Sequence, residues 1–561
     1  MNLSFVKRFA ISQIAKNWID RKSIFDWRPL IGADNDLWKS SLENTDSSQS
    51  YLLATSMGGY LPGQLLDGVL AAALTLRGVK VHILLCDMTL PACQLCDVYL
   101  FPNQKKFIKC GPKSLICKRC YAPALRSLEK LGVSIHKYSD FLDEKDFKAA
   151  EEAINGINLG NVGRYQIDGI AVGEHALAGA LRFYAKGDLA SEPLAEEVLK
   201  RYFLASLLMM YATKRALDAL KIVCSSFHHG IYVPQGIVGE VCRRFGVRVV
   251  NWHVAYRKKC FIFSHDNSYH HTLISEPTDR WIELNMTEST DKRITEYLKS
   301  RWYGTKDWIS FQRSSEFDTE AICRELKIDK DIPCIGMLTS VVWDAQLHYE
   351  SNAFPDMMAW VFETIDYFRK RTDLQLIIRV HPAEATGMLP SRQRIANEVE
   401  ERYGALPDNI ILVPPESSIS TYVLMSLCDS VIIYNTKTGI ELTAVGIPSI
   451  VAGEAWIRNK GFSIDAESPA AYKDILDTLP LGERMTDQDI IAAKKYAYHF
   501  FFRRMIPLDF VAAGRKFYFN LNLSSISELR EGQNQGLDII CDGILKGKPF
   551  VYPAEELAET L

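Results

Sequence analysis

Between Leu374 and Gly453 three apolar runs of strand length recur, each closed by a polar, loop-forming cluster: LQLIIRVHP, DNIILVPPESS and CDSVIIYNTKTGIELTAVGIPSIVAG. A helix-length segment follows the second and the third run. This rhythm restricts the segment to parallel strands joined by crossover helices. Every polar cluster comes after a strand, so the clusters collect on one edge of the sheet, where open parallel sheets bind ligands. His381, the Glu416–Ser418 run (with Ser417 and Ser418) and Asn435–Thr438 are therefore expected to face a common crevice.

A chain of 561 residues is too long for one hydrophobic core, so two domains are expected. The expected division is an N-terminal helix and linker (1–50), a first Rossmann-like domain (51–300) carrying a Cys-rich insert (86–120), a connector (301–332), a second Rossmann-like domain (333–470), and C-terminal helices with a tail (471–561). The formal net charge of −3 makes no demand for a nucleic-acid partner. The longest apolar run, Phe203 to Ala212, is broken only by Ser206 and falls well short of the ~20 residues that span a bilayer. Thirteen cysteines and no visible secretory signal fit reduced thiols in the cytoplasm.

Residues 1–28 carry a net charge of +4, with Leu3, Val6, Ala10, Ile14 and Trp18 on a helical stripe. Two readings fit: a basic helix lying on the inner face of an anionic membrane, or a helix packed on its own domain. The Asn/Ser/Asp-rich stretch 34–50 reads as a linker.

The first domain opens with YLLATSMGGYLPGQLLDGVLAAALTLRGVKVHILLCD. This reads as a strand over Tyr51–Ser56, a turn at Gly58-Gly59, a helix over Leu65–Leu76 and a strand over Val81–Leu85. The helix aims its N-terminus at the strand edge, where free N–H groups favour an anion; the alternative is that the glycine pair serves the turn alone. Cys93-x2-Cys96 and Cys117-x2-Cys120 follow, 20 residues apart. Two such pairs fit tetrahedral, structural zinc. Iron–sulfur ligation uses the same residue type, and unmetallated thiols are the remaining alternative. No organic cofactor is implied.

Glu174 and His175 stand at a loop-to-helix junction, and His228-His229 follow the strand beginning at Ile222. A carboxylate or imidazole at a strand end is where a general base waits for a hydroxyl. Glu174, His175 and His229 are the candidates, alongside His228, with a capping role the alternative for each. Residues from about Thr287 to Ile332 read as connecting helices. The second domain begins at Pro333 and leads to the turn Asn435-Thr-Lys-Thr-Gly-Ile-Glu441. Thr438 and Glu441 make a T-x-x-E capping box that starts a short helix. The hydroxyls of Thr436 and Thr438 and nearby N–H groups are placed to hold phosphate. Glu441 is placed to accept ribose hydroxyls unless the capping box occupies it. His381 donates to phosphate oxygen and Pro382 fixes its loop.

The series RVHP, PPESS and DSVIIYNTKTGIELTAVGIP resembles the capsule polysaccharide biosynthesis family, which includes transferases of 3-deoxy-manno-octulosonic acid (Kdo) and is similar to bacterial GT-B sialyltransferases. The resemblance spans about residues 333–465. It implies two Rossmann-like domains facing a cleft and a nucleotide-sugar donor held mainly by the C-terminal one. It also implies that His381-Pro382 and Asn435-Thr436 bind the nucleotide's phosphate and ribose. Thr436-Lys437 departs from the small hydroxylated pair usual in the family, which leaves the nucleotide open. The cysteine-bearing half has no counterpart in the Kdo enzymes, so acceptor and base do not carry over.

The expected function is glycosyl transfer from a nucleotide sugar to a saccharide or lipid-linked saccharide of a capsule- or lipopolysaccharide-type bacterial surface polymer. Nucleotide-sugar epimerisation, polyol-phosphate transfer and a non-catalytic scaffold are the rivals. Tyr472–Phe519 is expected to cross back to the first domain, and the tail after Ser524 to be loosely attached.

Overall fold

A computed structural model of the chain describes residues 24–308, 318–514 and 518–558. The basic stripe of residues 1–28 lies almost wholly outside the described residues, and so does the 309–317 part of the connector.

Six strands of the first half are β1 (Asp46–Ser56), β2 (Val79–Leu85), β3 (Ser134–Lys137), β4 (Ile222–His228), β5 (Arg248–Val254) and β6 (Cys260–His265). They stand in the order β3-β2-β1-β4-β5-β6. The first five are mutually parallel and β6 runs antiparallel to β5. The second half supplies β7 (Cys334–Leu338), β8 (Gln375–Arg379), β9 (Ile410–Val413), β10 (Ser430–Ile433), β11 (Ser449–Val451) and β12 (Ile464–Asp465). Their order is β9-β8-β7-β10-β11-β12, all parallel. Both sheets thus follow the doubly wound 3-2-1-4-5 progression, extended to a sixth parallel strand in the second. The expected architecture of two Rossmann-like domains is the one observed.

The reason lies in the residues. β7, β8 and β10 are buried along their whole length, as strands covered by helices on both faces must be. Each fully buried Leu, Ile or Val contributes about 1.5–3 kcal/mol of burial free energy. The register brings strand ends level: Leu338 pairs with Arg379 and with Ile433, and Arg379 with Val413. In each sheet the order reverses between the first and fourth strands. The crevices outside those ends lie beside Ser56 and His228 in one domain, and beside Thr339 and Tyr434 in the other.

Two expectations need correction. The stretch 34–50 is not a linker: Asn35–Glu43 is a helix with Trp38 buried, and β1 already begins at Asp46. The tail after Ser524 is not loose. Ile526, Leu529, Leu537, Ile540, Cys541 and Ile544 are buried, and Asp538 pairs with Arg77 of the first domain at 2.5 Å. The expected crossing back does occur. Strand β13 (Ile506–Pro507) adds antiparallel to β6, so a large part of 471–561 belongs physically with the first domain. The apolar run Phe203–Ala212 lies in the buried middle of the helix Ala195–Leu220, and among the described residues no helix is long and apolar enough to cross a membrane.

The two domains meet along a polar seam. Tyr232 Oη donates to Asp344 at 2.7 Å and accepts from the Ala345 N–H at 2.9 Å. Tyr99 Oη donates to the Pro390 carbonyl at 3.1 Å, and Lys460 Nζ to the Ile274 carbonyl at 2.9 Å.

Candidate active site

On the first domain's edge, four histidines converge. His228 ends β4 and His229 follows in a left-handed conformation (φ 69°), its N–H held by the Trp252 carbonyl at 2.9 Å. Ring centroids of His228 and His229 are 5.4 Å apart, and each lies 5.2–5.3 Å from His253. Tyr60 packs on His228 at 4.4 Å and Tyr269 on His253 at 4.8 Å. His270 reaches the Tyr269 hydroxyl at 2.9 Å. Burial, reinforced by mutual repulsion of the rings, pushes His228 and His229 far below the ordinary imidazole value and His270 to about 3. These rings are therefore neutral at pH 7. Both nitrogens of His228 and Nδ1 of His229 are buried without a protein partner. A neutral imidazole with an uncommitted nitrogen has a lone pair or an N–H to offer.

The facing edge is built by the ends of β8, β10 and β11. Arg379 closes β8 and donates to the Pro414 carbonyl and, at 3.2 Å, to that of Ser417, shaping the loop after β9. Burial lowers it to about 10, so it keeps its charge. The carboxylate nearest in sequence to that loop, Glu416, pairs instead with Arg394 at 2.8 Å. His381 Nδ1 accepts the Ala383 N–H at 3.0 Å, so the proton of the neutral ring sits on Nε2, the donor form a phosphate oxygen requires. Burial first, then Lys437 and Arg379, lower His381 to about 4. Pro382 caps the short helix Ala383–Thr386. Ser417 Oγ accepts from Ile419, while Ser418 is exposed. Asn435 donates to buried Glu454 at 3.0 Å, and its Oδ1 is buried without a partner.

The turn itself departs from expectation. The capping box does not form. The helix Thr438–Thr443 has Lys437 as N-cap with no side-chain cap, and Thr436 Oγ1 takes the Thr438 N–H at 3.3 Å. At six residues the helix is too short for much of a dipole at its N-terminus. Nor is Glu441 placed for a ribose: it is buried and bound to Arg301 at 2.8 Å, Lys437 at 3.0 Å and the Tyr422 hydroxyl at 2.5 Å. Burial pushes its carboxyl up, but Arg301 and Lys437 outweigh that and hold it at about 2. Arg301 also pairs with buried Asp307, completing two cations against two carboxylates. Sequence reasoning missed Arg301 and Arg379. The first lies in the connector and nothing in its neighbourhood marks it, whereas the second stands inside the RVHP motif itself.

The edges approach one another. Lys437 Nζ lies 4.8 Å from the centre of the Tyr256 ring, which follows β5. Trp456, after β11, packs edge-on to His270 at 5.4 Å and to Tyr269 at 6.2 Å. The structure thus brings Tyr256 against Lys437 and His270 against Trp456, with His381 close enough to Lys437 to feel its charge.

Other candidates lie elsewhere. His175 is a core residue, its Nδ1 2.5 Å from the Ile231 carbonyl and its ring packed on Gly236. Glu174 accepts the His348 N–H and so belongs to the domain seam. Gly58 and Gly59 are glycines for packing: a Cβ on Gly58 would stand 2.2 Å from Ala124 Cβ, and the Gly59 N–H donates to Cys120 Sγ at 3.0 Å, so this turn is no phosphate cradle. Cys93 and Cys96 sulfurs are 3.9 Å apart. Among the described residues no three His, Cys, Asp or Glu side chains are gathered as closely as one metal ion would hold them.

No known protein family matches the chain, and no curated protein does. Solved structures similar to it include the beta Kdo 2,4 transferase KpsC of Thermosulfurimonas dismutans (9% identity, 55% of this chain and 87% of that one, TM-score 0.32). UDP-GlcNAc 2-epimerase of Neisseria meningitidis bound to UDP-GlcNAc is another (10% identity, 89% and 100%, TM-score 0.26). The spinosyn rhamnosyltransferase SpnG, complexed with spinosyn aglycone, is a third (13% identity, 80% and 95%, TM-score 0.23). A Kdo transferase, the kind of enzyme the sequence resemblance pointed to, is thus among them.

Proposed function

We propose that the protein transfers a glycosyl group from a nucleotide sugar to a hydroxyl of a growing surface polysaccharide. One observation carries the reading: the neutral, buried pair His228–His229 stands at the end of the fourth strand of the first sheet, and Lys437, in the turn after the fourth strand of the second, packs on Tyr256 just beyond the first sheet's fifth strand. These are the two places where doubly wound sheets bind ligands.

Each side has chemistry suited to one half of the reaction. Lys437 and Arg379 supply positive charge, and His381 an N–H, where a diphosphate or phosphate leaving group would gain charge in the transition state. His229 Nδ1 would take the acceptor's proton. Its basicity is held low by burial and rises when a phosphate's negative charge arrives, because that charge stabilises imidazolium. The seam at Tyr232, Asp344 and Ala345 keeps the two edges together and limits water, which would otherwise compete as acceptor.

Epimerisation is the second reading. It needs an acid and a base on opposite sides of the sugar, and Glu454 offers the acid: burial pushes its carboxyl above the ordinary value, favouring the protonated form. Thermal-shift titration with UDP-, CMP- and GDP-linked sugars, followed by mass analysis of the donor with and without acceptor, separates these readings. A donor consumed only with acceptor supports transfer. A product formed without acceptor supports epimerisation. No shift with any nucleotide leaves a scaffold. His229→Gln is expected to lower kcat by ~10²–10⁴ while keeping the donor-induced shift; unaltered kcat refutes its role as base.

A further inference from the structure

The cysteine segment joins β2 to β3 and lies against the back of the Gly58–Gly59 turn. Cys86, Cys93, Cys117 and Cys120 line one small cavity, whose remaining wall is apolar and includes Met57, Leu90 and Ile116. Three separate chain segments deliver these thiols: the end of β2, the loop after it, and the π-helical turn Lys113–Cys117 running into the helix Lys118–Leu128. Packing alone does not explain the arrangement. A core filled by small hydrophobes closes up, and a void lined by sulfur forfeits contacts that Val or Ala would have made. Water is a poor occupant, since the wall offers it only thiols as partners.

A single zinc does not suit the cavity either. It needs four sulfurs at ~2.3 Å from one point, and no three metal-binding side chains among the described residues meet that way. A polynuclear centre differs, because its own metal atoms and sulfides stand between the protein's thiolates and set them further apart. Arg201 ties the segment to the long helix, donating to the carbonyls of Pro91 (3.3 Å) and Ile108. The 3.0 Å hydrogen bond from Gly59 N–H to Cys120 Sγ is of the kind that stabilises a ligating thiolate.

We propose that Cys86, Cys93, Cys117 and Cys120 hold an iron–sulfur cluster of the four-iron type, each thiol giving up its proton on binding. Cys86 replaces Cys96 in the ligand set expected from the two CxxC pairs. With four thiolates on the cluster no iron is open to substrate, so its work is structural: it locks the insert against the turn that carries Tyr60 to His228.

The test is anaerobic purification of the full chain and reconstitution with equal amounts of ferrous and ferric iron and with sulfide. The expected result is about four iron and about four acid-labile sulfide per chain, with a visible charge-transfer absorption that bleaches on reduction by dithionite. One zinc per chain without sulfide, or no metal uptake, overturns the proposal. Cys86→Ser is expected to lose the absorption and Cys96→Ser to keep it; the reverse pattern overturns the ligand set. Should Cys86→Ser fail to fold, the iron-to-sulfide ratio of the unsubstituted protein still decides.

Discussion

Glu441→Gln distinguishes a carboxylate that binds ligand from one that holds the site together. Glu441 is 4% exposed and Arg301 8%, so neither charge is relieved by water. The four-residue set Arg301, Asp307, Lys437 and Glu441 is neutral as it stands. Glutamine keeps the shape and removes one negative charge, leaving a buried excess cation. Breaking a buried ion pair from one side costs about 3–5 kcal/mol. The titration of Glu441 points to the same size. A carboxyl brought from 4.5 to about 2 prefers its charged form in the fold by ~3 kcal/mol. At roughly 2–4 °C per kcal/mol for a domain of this size, Tm should fall by roughly 6–20 °C. The sign with pH follows. A depressed carboxylate stabilises fully above its unfolded value of 4.5 and loses that contribution as pH falls towards 2. The gap between the two proteins should therefore be constant at neutral pH and narrow below pH 4.5. Differential scanning fluorimetry without nucleotide, from pH 8 to pH 3.5, reads both quantities. A variant of unchanged Tm that nevertheless loses nucleotide affinity would restore Glu441 as a ribose ligand and refute the structural assignment.

His381→Ala should leave the ligand-free Tm within a few degrees, since the hydrogen bond its ring accepts from the Ala383 N–H is a modest one. It should weaken the donor by ~1.5–3 kcal/mol, roughly 10- to 150-fold in Kd; unchanged donor affinity by calorimetry would remove His381 from the phosphate site. The buried histidines predict a second pH effect of opposite cause. His270 and His381 fall to about 3 and about 4 in the fold from 6.5. Below pH 6.5 the unfolded chain takes up protons that the fold refuses, so stability drops as pH falls. Each contributes about 1–2 kcal/mol of loss between pH 8 and pH 5. Urea midpoints that stay flat over that range, or a His270→Asn variant as pH-sensitive as its parent, would contradict this.

Where residues act through local pattern, the sequence was readable. The apolar run within DNIILVPPESS is expected as a strand and observed as β9, Ile410–Val413. Continuous apolar runs ended by polar clusters leave a buried parallel strand as the natural outcome. The same logic put His381, Asn435 and His229 just beyond strand ends, and they follow β8, β10 and β4. It failed where partners are remote. Nothing near Glu441 in the chain tells that Arg301 will occupy it, and the local capping rule was overridden by that network. The loose-tail expectation failed differently, because the signal was present: Leu537, Ile540, Cys541 and Ile544 form an i, i+3, i+4, i+7 stripe, and all four are buried. For the cysteines, spacing foretold convergence, but it named Cys96 where the shared cavity is lined by Cys86.

The glycine turn after β1 connects the two halves of this reasoning. In dinucleotide-binding folds that position approaches a phosphate, and bare backbone is needed on the ligand side. In this chain the bare backbone faces the other way. The Cβ missing from Gly58 is the one that would strike Ala124 and the Cys120 carbonyl, and the Gly59 N–H is spent on Cys120 Sγ. The cysteine segment thus fills the place beside this turn, and under the proposed function Arg379, His381 and Lys437 of the second domain would be the cations and donors for a nucleotide. The same turn delivers Tyr60 onto His228. The turn that packs on the cysteine segment therefore also positions His228, so the cysteine cavity and the histidine pair belong to one mechanical unit.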